Sequence, residues 1–388
     1  MSRTVLRAAR PEEQEETGAL VGAAFSADPP GRRAPDGPDS EQQEHQQQYL
    51  HRVAVDEGTG RVLATAVVRL GGQWWGGRRV PAAALAGVAV DVTARGRGVG
   101  RALIADTFAA AGEAGAHVVA LIPSTHAFYR KAGCGIAGRR SVYAIGTHDL
   151  RDLPRDRSLT YREATPQDAA RVADLVAAHG ERTNGVLDHD TGTGSARQYV
   201  AERHGVVVGW CALGRRPVRP GHGGNYAVTV LDLVGADPAA EFGLWRDLAA
   251  DEPSAREVHA LVRPGDLLEQ HLPRQTEVVE DSTWMLGLLD VPAALAGRGY
   301  PRGVAGRVVL EVADHGVLTL DVADGVGTTT PGGTPSVRVG RADLASLYAG
   351  HLDPATARHA GLLHGDDDAV GLLRTFFAGP PAVLDRPF

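Results

Sequence analysis

One stretch constrains this chain more than any other. An apolar run, Val88-Ala89-Val90, passes through Asp91-Val92-Thr93-Ala94 into Arg95-Gly96-Arg97-Gly98-Val99-Gly100, and an apolar helix opens at Arg101-Ala102-Leu103-Ile104. A helix start leaves backbone N–H groups unpaired and partially positive, so glycines just before it let an anion approach those donors closely. Arg95, Arg97 and Arg101 add positive charge at the same place. The pattern predicts a strand, a diphosphate cradle and a helix. A dinucleotide fingerprint fits worse, because its first glycine closes the strand directly, and here Asp91 to Ala94 intervene. In a chain with 49 glycines, a Gly/Arg surface turn is the alternative.

At 388 residues the chain exceeds a single core and implies two or three domains. Apolar content of 43% and charged content of 22% are those of an ordinary globular protein. No apolar run is long enough to cross a bilayer, and Met1 to Val5 leads into a charged segment, so a cytoplasmic protein with no membrane partner is expected. Cys134 and Cys211 are the only cysteines, which excludes a disulfide framework and a cysteine-rich metal site; no metal is expected. A net charge of −7 argues against a nucleic-acid partner and favours a cationic one.

Val5 to Arg7 reads as a strand, and Arg10-Pro11-Glu12-Glu13 opens a helix carrying Leu20, Val21 and Ala24 on one face, closed by Phe25. Ser26 to Ser40 is too rich in proline and glycine for regular structure. Glu41 to Val53 reads as a polar helix, and Val53 to Val55 with Val62 to Leu70 as two strands around a turn at Gly58-Thr59-Gly60. After the cradle, the helix Arg101 to Ala114 is followed by a strand, Val118 to Ile122. Pro123-Ser124-Thr125-His126 then leads into a helix beginning Ala127-Phe128-Tyr129.

Around His148 to Asp156 the chain turns polar and reads as a linker. The next segment looks like a restart. Tyr161-Arg162-Glu163-Ala164-Thr165-Pro166-Gln167-Asp168 parallels Leu6 to Glu13, with Arg162 lying 155 residues after Arg7. Val206 to Leu213 and Val228 to Val234 supply strands of this second copy. Gly235 to Glu241 stands where its cradle belongs, with no arginine and two acids, so a diphosphate would be repelled there. From Trp284 the pattern changes to a strand, a helix opened by Pro292, a hairpin at Val308 to Val312 and Val317 to Val322, a strand at Ser336 to Val339, and helices at Asp343 to Tyr348, Ala355 to Leu363 and Asp366 to Phe377.

The spacing Arg95-x-x-Gly98-x-Gly100 after Val88-Ala89-Val90 resembles the acyl-coenzyme-A motif of the GCN5-related N-acetyltransferases, and Phe128-Tyr129 followed by Gly133 resembles the second coenzyme motif of that superfamily. Two copies, of which only the first keeps its cradle, followed by a domain introduced by Leu289-Asp290-Val291-Pro292-Ala293-Ala294-Leu295, resemble the enhanced intracellular survival (Eis) family over the whole chain. The resemblance implies an α+β fold: two tandem GNAT-like mixed-sheet domains, at 1–155 and 156–288, followed by a sterol-carrier-protein-like α+β domain at 289–388. It implies acetyl-coenzyme A as cosubstrate, amines of aminoglycosides and related polyamines as acceptors, and a homohexamer built from trimers.

The resemblance also assigns residues. Val88 and Val90 hold the pantetheine arm; Arg95, Gly96, Arg97, Gly98, Gly100 and Arg101 form the pyrophosphate loop; Ser124 lies near the thioester. Tyr129 protonates the departing thiolate, and the carboxylate of Phe388 takes a proton from the amine. Phe25 and Asp28 contact the substrate. Pro387 departs from the family, where an acid can occur. Apart from the resemblance, the alternative for Tyr129 is a packing aromatic, for His126 a rival acid or base or a helix cap, for Cys134 a remote nucleophile without a basic partner, and for Asp28 an ordinary turn residue. Trp74-Trp75 must face opposite ways on a strand, as substrate wall or subunit contact. An acetyltransferase for a protein lysine or a biosynthetic intermediate, and a non-catalytic coenzyme- or lipid-binding protein, remain the alternatives.

Overall fold

The computed structural model describes residues 3–25, 48–188, 196–217, 226–251, 255–263 and 266–385. Twelve strands form one sheet: β1 (Thr4–Ala8), β2 (Tyr49–Asp56), β3 (Val62–Trp75), β4 (Arg78–Val90), β5 (Val118–Leu121), β6 (Cys134–Gly146), β7 (Leu159–Glu163), β8 (Arg197–Arg203), β9 (Val206–Pro217), β10 (Tyr226–Gly235), β11 (Glu257–Leu261) and β12 (Glu277–Leu288). Their spatial order is β1-β2-β3-β4-β5-β12-β6-β11-β10-β9-β8-β7. The order reads the same from both ends. Each half lays down five strands in sequence, and the two halves exchange their last ones, β12 pairing with β5 and β6 with β11. The internal repeat is thus a structural one, joined at the centre by the β6–β12 pair.

The repeated helix starts are built alike. Arg7 pairs with Glu13 at 2.8 Å, and the Glu13 carboxylate also accepts the Arg10 N–H at 2.7 Å. In the second half Arg162 pairs with Asp168 at 2.7 Å, and Asp168 accepts the Thr165 N–H at 2.8 Å. Each carboxylate therefore ties a strand to the helix after it, α1 (Gln14–Phe25) and α4 (Ala169–Arg182), the intervening helices being α2 (Val99–Glu113) and α3 (His126–Arg130). The Arg7 guanidinium holds the Glu13 carboxyl down at about 2.

Helix α2 buries Leu103, Ile104, Thr107 and Ala111, an i, i+4 stripe, against β2 to β5. Truncating Leu103, fully buried, would cost about 2–5 kcal/mol. On the opposite face of the sheet sits the third region: after α5 (Pro238–Asp247), α6 (Leu267–His271) and α7 (Val291–Gly297) come β13 (Gly306–Val312), β14 (Gly316–Ala323), β15 (Val326–Pro331) and β16 (Val337–Val339). Helices α8 (Arg341–Tyr348) and α9 (Pro354–His359), strand β17 (Leu363–Gly365) and α10 (Asp367–Phe376) complete it. Its five strands run β15-β14-β13-β16-β17. The two sheets share one core, in which Trp75 meets Trp284 at 6.2 Å and the edge of Tyr348 at 5.2 Å between ring centroids.

Three readings are corrected. The helix predicted over Glu41 to Val53 fails where it is described, because Tyr49 to Val53 belong to β2; the β-branched and aromatic residues of Tyr49–Asp56 outweigh the preceding glutamines. The polar stretch predicted as a linker contains a helical turn, Thr147–Asp152, and it carries Leu150 and Leu153, both buried in the core of the second half. Trp74 and Trp75 do face opposite ways, but Trp75 is neither substrate wall nor subunit contact, being fully buried against the third region; Trp74, half-buried on the other face, covers Gly180 of α4.

Candidate active site

Strands β4 and β5 run parallel only from Ala82–Val118 to Leu85–Leu121. Beyond that point β5 ends while β4 continues to Val90, paired to β3 alone. The divergence is produced by a bulge: the β3–β4 register slips between Thr65 and Val67, opposite Gly87, whose φ of +59° suits glycine. Asp91 N–H donates to the Leu63 carbonyl on β3 at 2.8 Å. Peptide groups alternate sides along a strand, so those of Val90 and Val88 face the open edge. A glycine inside an apolar strand signals a bulge, so Gly87 was detectable in the sequence and was missed.

The loop after this edge has the conformation a cradle requires. Gly96 and Gly98 have φ of +72° and +82°, and a Cβ at either would meet nothing within 4 Å, so space lies over both. Gly98 caps α2 without a side chain, leaving the first N–H groups of a 15-residue helix unclaimed by any cap. Gly100 is needed for a different reason. A Cβ there would lie 3.0 Å from Val90 Cγ2 and 3.7 Å from the Phe128 ring. Arg95 Nε donates to the Val90 carbonyl at 3.2 Å, whereas Arg97 and Arg101 are exposed and bond to no described residue. Donors, charge and space together fit a diphosphate, with Val88 and Val90 offering an open strand edge to an extended amide-bearing arm.

The second half has the same splay without the same chemistry. β10 and β11 pair only from Val228–Val258 to Val230–Ala260. The next helix, α5, is capped by Asp237, which accepts the Ala240 N–H at 2.9 Å and pairs with Arg203 at 2.7 Å. Glu241, in the first turn, is pushed up to about 7 by burial and by Asp266 nearby. A diphosphate finds its donors taken and a carboxyl in the way.

Tyr129, on α3, is buried beside the cradle side of the sheet, in one apolar cluster with Leu121, Met285 and Cys134, against which Val88 and Val90 also pack. Its ring meets Phe128 edge-on at 5.0 Å. Burial pushes its hydroxyl up to about 12, and no described residue hydrogen-bonds that hydroxyl. Burial likewise pushes the Cys134 thiol up to about 12, which leaves it inert as a nucleophile. Ser124 is exposed between β5 and α3. His126 contacts the Thr283 hydroxyl on β12, so it joins α3 to the exchanged strand. Phe25 ends α1 with 56% of its surface exposed. Asp28, Glu41 and Phe388 lie outside the described residues. Asp290 caps α7, accepting the Ala293 N–H at 2.9 Å. Among the described residues no group of three His, Cys, Asp or Glu side chains can hold a metal, and no helix is long and apolar enough to cross a membrane.

Comparison with known proteins agrees with this geometry. A family profile described as acetyltransferase (GNAT) domain matches residues 5–137, and one described as sterol carrier protein domain matches residues 291–385. An uncharacterized N-acetyltransferase of Streptomyces avermitilis is 30% identical over 315 residues, covering 74% of this chain and 76% of that one. The N-acetyltransferase Eis of Mycobacterium tuberculosis is 33% identical over 150 residues, covering 37% of this chain and 36% of that one. The crystal structure of a GCN5-related N-acetyltransferase from Kribbella flavida superimposes with a TM-score of 0.83 at 29% identity, covering 100% of this chain and 99% of that one. With its strand splay, open glycine cradle and sterol-carrier domain, the chain belongs to the GCN5-related N-acetyltransferases, among the Eis-like members of that family.

Proposed function

We propose that the protein transfers an acetyl group from acetyl-coenzyme A to a primary amine of a cationic, aminoglycoside-like small molecule bearing several amines, by direct attack within a ternary complex. The diphosphate lies over Gly96, Gly98 and Gly100 with Arg95, Arg97 and Arg101 around it, and the pantetheine arm runs along Val88 and Val90 past Ser124. The amine nitrogen bonds to the acetyl carbon, the carbon–sulfur bond breaks, and the sulfur leaves as thiolate. Tyr129 gives its proton to that sulfur. The carboxylate of Phe388, through water, takes the proton the amine loses, and Phe25 and Asp28 contact the acceptor. Holding amine and thioester together contributes more to the rate than either proton transfer. A hexameric assembly belongs to the same reading.

The observation that carries the acid assignment is the place of Tyr129, buried in the apolar cluster against which Val88 and Val90 of the open strand edge pack. A phenol at about 12 is a poor acid toward an ordinary thiolate, whose conjugate acid lies near 8.5. The Cys134 thiol, in the same apolar cluster, is raised to about 12 as well. Burial disfavours a thiolate as it disfavours a phenolate, so a sulfur leaving in apolar surroundings gains basicity in the direction that proton transfer from Tyr129 requires.

The test is mass spectrometry of an amine library incubated with acetyl-coenzyme A, with one residue appended after Phe388 as the mechanistic control. Acetylated polyamines, and turnover that collapses on extension while coenzyme binding persists, support the reading. Acetylation confined to protein lysines overturns the acceptor, and undiminished turnover on extension removes the carboxylate.

A further inference from the structure

Helix α3, which carries Tyr129, is five residues long, too short to keep its shape unaided. Thr125 at its start gives no side-chain cap, and the Lys131 N–H reaches the Ala127 carbonyl only at 3.4 Å. The helix is instead held from outside at both ends. His126, its first residue, contacts the Thr283 hydroxyl on β12. Arg130, its last, donates from Nη2 to Asp343 Oδ1 at 2.5 Å, across 213 residues of sequence.

Asp343 belongs to α8, the helix of the third region that packs against β6 and β12. Ala342 to Tyr348 are all buried, and Leu344, Ala345, Leu347 and Tyr348 sit in the core the two sheets share, so α8 is a fixed support. Its approach is close. A Cβ at Gly135, at the start of β6, would stand 1.9 Å from the Ala342 carbonyl oxygen and 2.4 Å from Ser346 Oγ, so only glycine lets α8 lie there. Gly133, with φ of +88°, turns the chain from α3 into β6 beside the Arg341 side chain, and Arg341 Nη2 donates to the Leu288 carbonyl at the end of β12 at 2.8 Å. The Asp343 side chain is 12% exposed against 45% for Arg130, so the carboxylate is the fixed member of the pair and the guanidinium the one that is held.

Neighbouring side chains of a helix point about 100° apart, so pinning Arg130 sets the rotation of α3 about its axis and with it the direction of Tyr129. That rotation and the packing of the ring in its apolar cluster place the hydroxyl, for which no described residue is a hydrogen-bond partner. We propose that Asp343 is a positioning residue for acetyl transfer: through its ion pair with Arg130 it fixes the rotation of α3, so that the Tyr129 hydroxyl meets the departing sulfur. This rests on Tyr129 acting as the acid, and it gives the third region a task in the reaction carried by α8. A proton donor held in this way does not have to find its orientation at each turnover.

The test uses the full chain with Asp343→Ala, and with Arg130→Ala as the more exposed member, whose removal spares the core. Each is made in the wild-type and in the Tyr129→Phe background. The measurements are kcat, read as thiol released from acetyl-coenzyme A with kanamycin A as the probe amine, the Kd for coenzyme A, and amide exchange at Lys131. Spermine, then water, replaces kanamycin A as acceptor where the wild-type protein leaves the amine unmodified. Each substitution should lower kcat about tenfold and speed exchange at Lys131, with the coenzyme Kd within about twofold, and Arg130→Lys should recover most of the lost turnover. In the Tyr129→Phe background neither should lower kcat further, because the group they orient is gone. Unchanged kcat, or an undiminished loss in the Tyr129→Phe background, overturns the proposal. The two readings fail differently. Wild-type turnover in Tyr129→Phe removes the acid and this inference with it, whereas a loss in Tyr129→Phe beside unchanged turnover in Asp343→Ala and Arg130→Ala removes the inference alone.

Discussion

Arg95 donates from Nε to the carbonyl of Val90 over 3.2 Å, tying the first guanidinium of the loop to the open edge of β4. Arg97 and Arg101 have no such bond to a described residue, so their charge is available to a ligand. Replacing Arg97 by alanine should raise the Kd for coenzyme A about tenfold, the loss of one charge-assisted hydrogen bond of about 1.5 kcal/mol. Calorimetry checks this, with kcat at saturating acetyl-coenzyme A unchanged and the salt dependence of binding reduced.

Gly98 holds φ of +82° where α2 begins. A side chain there strains the turn by about 1–2 kcal/mol and fills the space over the helix start. Gly98→Ala should therefore lower both the melting temperature and the coenzyme affinity, whereas Gly112→Ala, in a helix and facing open space, should raise the melting temperature slightly.

Burial keeps Tyr129 protonated until the pH approaches 12, so the phenol contributes no falling limb to the rate profile across the physiological range. Tyr129→Phe should lower kcat by about 100-fold and leave the Kd for coenzyme A within a factor of two or so. Rate profiles of the two proteins should share their shape below pH 10 or thereabouts, differing in height.

Glu241 is raised to about 7 from an ordinary value of 4.5. Between those values the folded protein holds a proton that the unfolded chain has released, so stability falls as pH rises through this window. Glu241→Gln should remove that slope and stabilise the protein at pH 8 by something on the order of 1–3 kcal/mol. Urea unfolding at pH 5 and pH 8 reads the difference.

Much of the fold was legible because local rules governed it. The cradle followed from glycines and arginines between an apolar strand and a helix, and the repeat from Arg7 and Glu13 recurring as Arg162 and Asp168. The central exchange was not legible. β6 carries Arg139 and Arg140 and β12 opens on Glu277, Glu280 and Asp281, and nothing local tells such a strand which half it will pair with. Leu150 and Leu153 hid among charged neighbours for a similar reason, their burial being set by the core they meet and not by periodicity. At the site, Gly87 carried a usable signal, a glycine inside an apolar strand that marks the bulge opening the edge of β4.

The central claim is that coenzyme A lies across Gly96 to Gly100 and aims its sulfur at Tyr129. A crystal structure of the protein with coenzyme A tests it most directly. The account predicts diphosphate oxygens on the N–H groups at the start of α2, and the sulfur within hydrogen-bond reach of the Tyr129 hydroxyl. A diphosphate bound elsewhere, or a sulfur remote from that phenol, would contradict it.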